Sequence, residues 1–263
     1  MNIRIESREN PLVKRLVRLS SDRKYRKMLG EMVCEGGKML GEALSSGIEI
    51  HDVLVADNAQ VDTGDLRRAE QAGAKLYACP DALLAKVSNV QAPQGIVFSC
   101  ERPVTGLDSL RGAHRLMVLE GLQDPGNLGT VIRTADAFAL DGIILCEGCV
   151  DPTSPKVVRA TMGAAFRLPI AAATIEETAA FLQQQKLPLY GAALAENSVP
   201  VTQVDLHRAA VLIGNEGRGI TKKAAALCNQ LVIIPMEGRA ESLNASVAAS
   251  IIMYEMSRKG GQL

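Results

Sequence analysis

From Arg115 onward the chain alternates short apolar runs with helical stretches, and no other feature narrows its fold as much. The runs are RLMVLE, GIILC, RLPIAA, LPLYGAAL, AAVLIG and QLVIIP. Each is almost free of polar residues, as a strand buried on both faces must be, and such strands belong to parallel sheets. The stretches LGTVIRTADAFA, PKVVRATMGAAF, EETAAFLQQQ and KKAAALC read as helices between them, with NASVAASIIMYEMSRK as a last one. A mostly parallel α/β sheet covered by helices follows. Ligands of such sheets sit beyond the carboxyl ends of the strands.

The first hundred residues also alternate, in shorter elements. NPLVKRLVRLSSDRKYRKM reads as one helix opened by Asn10 and Pro11, with Leu12, Leu16 and Leu19 inward and Lys14, Arg15 and Arg18 toward water. EGGKMLGEALSSG is a second helix closed by Gly47. HDVLVAD, KLYAC and QGIVFSC are strands, interleaved with the helices DLRRAEQAGA and DALLAKVS. A small α/β domain over 1–101 is expected, then a linker over 102–114 rich in Pro, Gly and mixed charge, then the parallel-sheet domain over 115–263. Aromatics make up 3% of the chain and Trp is absent. Packing must rest on Ala, Val, Leu and Ile, which favours layered α/β structure over a β-sandwich.

No apolar run is long enough to cross a bilayer, and MNIRIESREN does not look like a signal peptide, so a cytoplasmic location and no membrane partner are expected. The six cysteines are scattered, which suits a reducing compartment. Cys146 and Cys149 form a CxxC, but no second CxxC or spaced His pair completes a zinc set, so no metal is expected. Although the formal net charge is zero, residues 1–27 hold nine Lys or Arg against Glu6, Glu9 and Asp22. A basic end on a neutral protein suggests a polyanion met at one place, or else a solvated helix face.

Three strand ends of the second domain carry unusual residues. In LEGLQDPGNLGTVIRTADAF, Asn127 can cap a helix and Gly126 can make a turn, but neither explains Arg133 among Val131, Ile132, Ala135 and Phe138. A cation in a buried face needs an anion or an open cleft. In LIGNEGRGI the spacing G-x-x-G-x-G is neither the dinucleotide fingerprint nor a Walker loop. Its glycines let a backbone approach a ligand or permit a tight turn, and Glu216 has no part in a turn as such. In IPMEGRAESLNASVAAS, Ser242 or Asn244 can cap the last helix, whose small residues suit a close helix–helix contact.

Taken together, DPGNLGTVIRTADAF, LIGNEGRGI and IPMEGRAESLNASVAASI resemble the three motifs of the SpoU (TrmH-type) branch of the SPOUT RNA methyltransferases. The resemblance extends to DPTSPKVVRATMGAAFRLPI and covers roughly 115–258. NPLVKRL, CEGGKML and APQGI resemble the L30e-like RNA-binding domain often fused to that enzyme, with Met32 where the family usually has an aromatic. The resemblance implies a SPOUT-type sheet with a deep trefoil knot, which sequence patterning would never propose because knots are almost absent from proteins. It implies an S-adenosyl-L-methionine cofactor contacted by Gly214, Ile234, Met236 and Leu243. It implies catalytic roles for Asn127, Arg133, Glu216, Ser242 and Asn244, and transfer of methyl to a ribose 2′-hydroxyl. Arg133 is then a base or, since a guanidinium keeps its proton, a phosphate clamp, with Glu216, Ser242 and Asn244 orienting it and the ribose. Lys14, Arg15, Arg18, Lys156 and Arg159 are candidate RNA contacts. A homodimer through the C-terminal domain is also implied. The two-domain layout leans toward 23S ribosomal RNA over tRNA. A non-catalytic RNA-binding or ribosome-assembly protein is the alternative on the same fold, and an oxidoreductase would want a G-x-G-x-x-G that is not there.

Overall fold

Two sheets organise the chain, one in each of two units: Met1–Pro103 with Asp151–Arg167, and Val104–Val150 with Leu168–Leu263. The structure is a computed structural model that describes residues 3–88, 90 and 92–258.

The first unit begins with the short strand β1 (Ile3–Arg4) and helix α1 (Pro11–Ser21). Asn10 caps α1, its side chain accepting from the Leu12 N–H at 2.9 Å, with Pro11 in the first helical position. Such a cap stabilises a helix by about 1 kcal/mol. The helix does not continue to Met28 as expected. Asp22 is extended and accepts from the Tyr25 N–H at 3.0 Å, so it ends α1 and caps a separate helix α2 (Arg23–Leu29). Gly30, at φ +69°, closes α2. Then follow β2 (Glu31–Glu35), α3 (Gly37–Ser45), β3 (Ile50–Ala56), α4 (Thr63–Gln71), β4 (Lys75–Cys79), α5 (Asp81–Val87) and β5 (Ile96–Glu101). The sheet order is β1-β4-β3-β5-β2, with β5 antiparallel to both neighbours. Leu16 and Leu19 are fully buried under α1, while Leu12 is only half-buried and Val13 takes its inward place.

In the second unit, β6 (Val104–Thr105) lies within the stretch expected to be a linker and pairs with a later strand, and Leu110 just after it is buried. The chain continues through β7 (Arg115–Leu119), α6 (Pro125–Ala137) and β8 (Gly142–Leu145). It then gives α7 (Pro155–Thr161), which belongs with the first unit. The rest of the second unit is β9 (Ile170–Ala172), α8 (Ile175–Gln184), β10 (Leu189–Ala192), β11 (Val199–Pro200), β12 (Ala209–Ile213), α9 (Lys222–Leu227), β13 (Gln230–Ile233) and α10 (Ala245–Ser257). The expected end of the last helix, Lys259, lies outside the described residues.

Among the described residues this sheet has eight strands, all parallel, in the order β11-β13-β10-β12-β7-β8-β9-β6. The mixed α/β architecture and its parallel sheet are those expected. Leu116, Val118, Ile144 and Leu212 are fully buried in it, each worth about 1.5–3 kcal/mol. From β7 the chain runs to β8 and β9 on one side, then to β10, β12 and β13 on the other. The carboxyl ends of β7 and β12 therefore meet where the strand order reverses, the place where open sheets bind ligands. Helices α6 and α10 pack on each other, with Phe138 and Tyr254 edge to face at 5.9 Å.

All six cysteines are free thiols. Cys149 donates to the Leu119 carbonyl at 3.2 Å and Cys146 lies 3.6 Å from Thr178 Oγ1. Burial pushes these thiols up to about 11 and about 12, which suits packing more than reactivity. Among the described residues no group of three His, Cys, Asp or Glu could hold a metal, and no helix is long and apolar enough to cross a membrane.

Candidate active site

The first strand end is organised by Asp124, not Asn127. Asp124 Oδ1 accepts from the Asn127 N–H at 2.8 Å and caps α6, with Pro125 next. Asn127 consequently stands in the first turn with its amide free for other partners. From the second strand end, the Glu216 carboxylate receives the N–H groups of Asp124 at 3.2 Å and Gln123 at 3.4 Å, and the Asn127 Nδ2 at 3.1 Å. From the third, Asn244 Nδ2 donates to Asn127 Oδ1 at 3.0 Å, and Ser246 Oγ lies 3.2 Å from the same oxygen. Asn244 is the cap of α10, its Oδ1 accepting from the N–H groups of Ser246 at 2.9 Å and Val247 at 3.3 Å.

Chemistry leaves this seam one orientation. A carboxylate only accepts, so Asn127 must turn its NH₂ toward Glu216 and its carbonyl toward Asn244. The cap demands the Asn244 carbonyl, which leaves the Asn244 NH₂ for Asn127. Both ends agree. Ser246 Oγ, 2.7 Å from Asn244 Oδ1, has a single proton for two oxygens and is buried at 7% exposure. Bonds to the charged Glu216 are worth about 1.5–3 kcal/mol and the neutral ones about 0.5–1.5. Partial burial pushes the Glu216 carboxyl up, but its own N–H, the Asn127 amide and the N–H groups of Asp124 and Gln123 outweigh this and hold it below the ordinary carboxylate range. It is ionised and fully engaged.

Arg133 lies six residues beyond Asn127 on α6. Val131, Ile132 and Ala135 are buried as expected and Phe138 is half-buried, but Arg133 shares its face with exposed Thr130 and Ala137 and is itself exposed. The premise of a cation forced into a buried face is therefore corrected: helical rotation turns residue 133 outward. Its side chain makes no hydrogen bond or ion pair among the described residues. Glu216 and Asn244 hold Asn127, not Arg133. Ser242 is exposed, stands on the wall of the adjacent cleft, and takes no part in the seam.

That cleft, of about 500 Å³, is walled by the turns at 214–219 and 234–243 together with the end of β10. All four expected cofactor residues, Gly214, Ile234, Met236 and Leu243, line it, as do Glu216 and Ser242. The first turn is built by Asn215, a residue that motif spacing passed over. Its Oδ1 accepts from the N–H groups of Gly217 and Arg218 at 3.0 and 3.1 Å, and its Nδ2 donates to the Gly121 carbonyl at 2.8 Å. The signal was an Asn at the head of a Gly-rich turn. Asn215 and Gly219 exchange two backbone bonds, and Gly219 sits at φ +67°. A Cβ on Gly214 would fall 2.1 Å from the Gly219 carbonyl carbon, so Gly214 is required by the chain's own close approach. The volume suits a nucleoside-sized ligand. Apolar Ile, Met and Leu side chains, main chain from two turns, and the charged Glu241 and Arg218 fit a nucleoside that carries both signs of charge, such as S-adenosylmethionine.

Of the expected RNA contacts, Lys14 pairs with Glu9 at 2.7 Å, Arg15 with Glu31 and Asp52, and Arg18 with Asp22 at 3.4 Å. Lys156 is exposed and Arg159 half-buried, and neither has a partner among the described residues.

A model of the SpoU rRNA Methylase family matches residues 114–254, and one of the MRM3-like substrate binding domain matches residues 10–97. The 23S rRNA (guanosine(2553)-2'-O)-methyltransferase RlmP of Bacillus subtilis (strain 168) is 31% identical over 96% of this chain and 98% of its own length. The AdoMet-bound rRNA methyltransferase from Sinorhizobium meliloti aligns with a TM-score of 0.87 at 30% identity, covering 96% of each chain. The SpoU methyltransferase AviRb from Streptomyces viridochromogenes, in complex with the cofactor AdoMet, aligns with a TM-score of 0.86 at 26% identity, covering 95% of this chain and 97% of that one. Such matches span both units, and the family motifs fall on the three strand ends that the seam beside the cleft joins; the chain belongs to the SpoU rRNA methylase family and is an RNA methyltransferase.

Proposed function

We propose that the chain methylates a ribose 2′-hydroxyl in 23S ribosomal RNA, with S-adenosylmethionine as methyl donor. The observation that carries this reading is the meeting of residues 127, 216 and 244 beside a nucleoside-sized cleft. RlmP, similar over nearly the whole of both chains, supports the choice of 23S RNA over tRNA. Gly214, Ile234, Met236 and Leu243 hold the cofactor, which when bound supplies an electrophilic methyl group. The chain's own task is to align the ribose oxygen and dispose of one proton.

Glu216 is a positioning residue in this scheme. A carboxylate held by several N–H donors is a weak base, and its service is to fix the Asn127 amide. Asn127 and Asn244 then present a rigid polar edge to the ribose, with Ser242 on the cleft wall. Arg133 is free to clamp the phosphate beside the reacting nucleotide and to stabilise the emerging alkoxide. Residues 1–101 act as the RNA-binding part and 115–263 as the catalytic part, with Lys156 and Arg159 as further phosphate contacts.

The functional unit is a homodimer formed through the C-terminal domain. An apolar groove along α6 and α10, with Val247 and Tyr254 about half exposed beside Phe138 and Ile251, supports it. The trefoil knot and a cytoplasmic location belong to the same reading, supported by agreement in fold with AdoMet-bound relatives.

The test is transfer of tritium from labelled S-adenosylmethionine into unmodified 23S rRNA and tRNA transcripts, followed by mapping of 2′-O-methyl sites. One labelled 23S nucleotide is expected. Label in tRNA alone would make it a tRNA enzyme. No label in either, with the donor still bound, would favour a non-catalytic RNA-binding protein.

A further inference from the structure

Of the nine Lys and Arg residues in 1–27, those that make no ion pair among the described residues all lie on α2, although α1 looks equally basic in sequence. On α1, Lys14, Arg15 and Arg18 are each matched by a carboxylate of the same unit, and Arg18 also lies 4.2 Å over the Tyr25 ring. On α2, Arg23, Lys24 and Lys27 are exposed and their side chains make no hydrogen bond or ion pair among the described residues. The helix has no acidic residue of its own. Arg23 and Lys24 occupy its first turn, where the helix dipole disfavours cations. The carboxylate at that end is the cap Asp22, which is already bonded to the Tyr25 N–H and paired with Arg18 at 3.4 Å.

Surrounding groups deepen the imbalance. The fourth cation of α2, Arg26, is buried and donates through Nε at 3.0 Å and Nη2 at 2.7 Å to Asp151 Oδ2, and through Nη1 to the Leu19 carbonyl at 2.6 Å. The other oxygen of Asp151 accepts from the Thr153 N–H at 3.0 Å and hydroxyl at 2.7 Å. That carboxylate is therefore fully committed. Arg102 sits beside the end of α2, its N–H bonded to the Gly30 carbonyl at 2.8 Å, and its buried Nε has no hydrogen-bond partner. Burial, and the charges of Arg23 and Arg26 acting against Asp151, hold the Arg102 guanidinium below its ordinary range. Arg23 and Arg102 thus share the neighbourhood of one carboxylate, Asp151, that Arg26 already neutralises.

We infer that α2, through Arg23, Lys24 and Lys27, together with Arg102 at its end, is the part of the basic N-terminal segment that takes phosphates of the RNA substrate, in addition to Lys156 and Arg159, while the cations of α1 serve the unit's own fold. This rests on the functional reading above and specifies where its RNA is gripped. Contacts from α2 break no existing ion pair, whereas each from α1 must first release Glu9, Glu31, Asp52 or Asp22. With few aromatic residues in the chain, a phosphate grip suits the composition better than base stacking.

The experiment compares the full chain with two variants, Arg23→Gln/Lys24→Gln/Lys27→Gln and Lys14→Gln/Arg18→Gln, binding a 23S rRNA fragment across a salt series. Each phosphate contact contributes about 0.7–0.9 to the slope of log affinity against log salt. The α2 variant is expected to flatten that slope by about 2 to 2.7, with unchanged melting temperature and unchanged affinity for S-adenosylmethionine. The α1 variant is expected to move it by less than half as much. A native slope in the α2 variant, or an equal effect of the α1 variant, overturns the inference. Wild-type methyl transfer is read on the same preparation: failure there sinks the functional reading, while a native α2 slope with active wild type sinks only the placement of the grip.

Discussion

Exchanging Asn127 for Asp changes one contact of the seam in sign and leaves the others in place. The new side chain still offers an oxygen to Asn244 and Ser246, but turns a second carboxylate oxygen toward Glu216 Oε1 at the present 3.1 Å. Two unit charges at that separation repel by about 5 kcal/mol at an effective dielectric of 20 and by about 1.3 kcal/mol with the screening of bulk water. Glu216 is exposed, so the lower part of that range applies. Loss of the charge-assisted bond adds about 1.5–3 kcal/mol, for a total near 3 to 5 kcal/mol. In the wild type, Glu216 titrates below its ordinary value. Its stabilisation is therefore present above about pH 4.5 and fades as pH falls through the lower folded value. The variant behaves oppositely: two carboxylates sharing a site raise one of their pKa values, so it is weakest at high pH and recovers on acidification as one proton bridges the pair. Adding Glu216→Gln removes the repulsion by replacing one carboxylate with a neutral amide, though an NH₂ turned toward residue 127 gives up the acceptor for the Asp124 N–H, and the double variant should be more stable than the sum of the single effects by about 2 kcal/mol. Urea unfolding of the four proteins at pH 8 and pH 5, with methyl transfer alongside, measures this. Native stability in Asn127→Asp, or strict additivity in the double variant, refutes the seam.

Arg133→Ala should leave stability within about 0.5 kcal/mol, because the side chain is exposed and unpartnered, yet reduce methyl transfer by about 100-fold or more with unchanged donor affinity by calorimetry. Arg26→Ala strands the buried Asp151 carboxylate and should cost about 3–5 kcal/mol in urea unfolding. In the wild type, burial pushes Asp151 up but its bonds from Arg26 and Thr153 prevail and lower it, so that contribution is present above about pH 3.8 and is lost as pH falls through the folded value. Gly214→Ala places a methyl against the Gly219 backbone and should abolish S-adenosylmethionine binding in calorimetry while the far-ultraviolet circular dichroism persists.

The long apolar strands were legible because a strand buried on both faces has no polar positions to hide it, and each of the six runs became a strand. Edge strands were not. β1, β6 and β11 are two residues long and owe their existence to the neighbour they pair with, which no local pattern records. The break between α1 and α2 was masked for a related reason: Leu16 and Leu19 keep helical spacing up to Asp22, and only that residue's side chain, turning to cap Tyr25, stops the helix. In the site, motifs named the residues but not their partners. Glu216 reaches Asn127 across 89 positions because β12 lies beside β7, and strand order is a property of the whole sheet. Charge obeys the same logic. Arg15 and Arg23 look alike in a count over residues 1–27, yet Glu31 and Asp52, which neutralise Arg15, arrive from β2 and β3, while no strand brings a carboxylate to Arg23. A run of basic residues thus specifies how much charge a unit holds, and only its sheet determines which of those charges remains available to a polyanion.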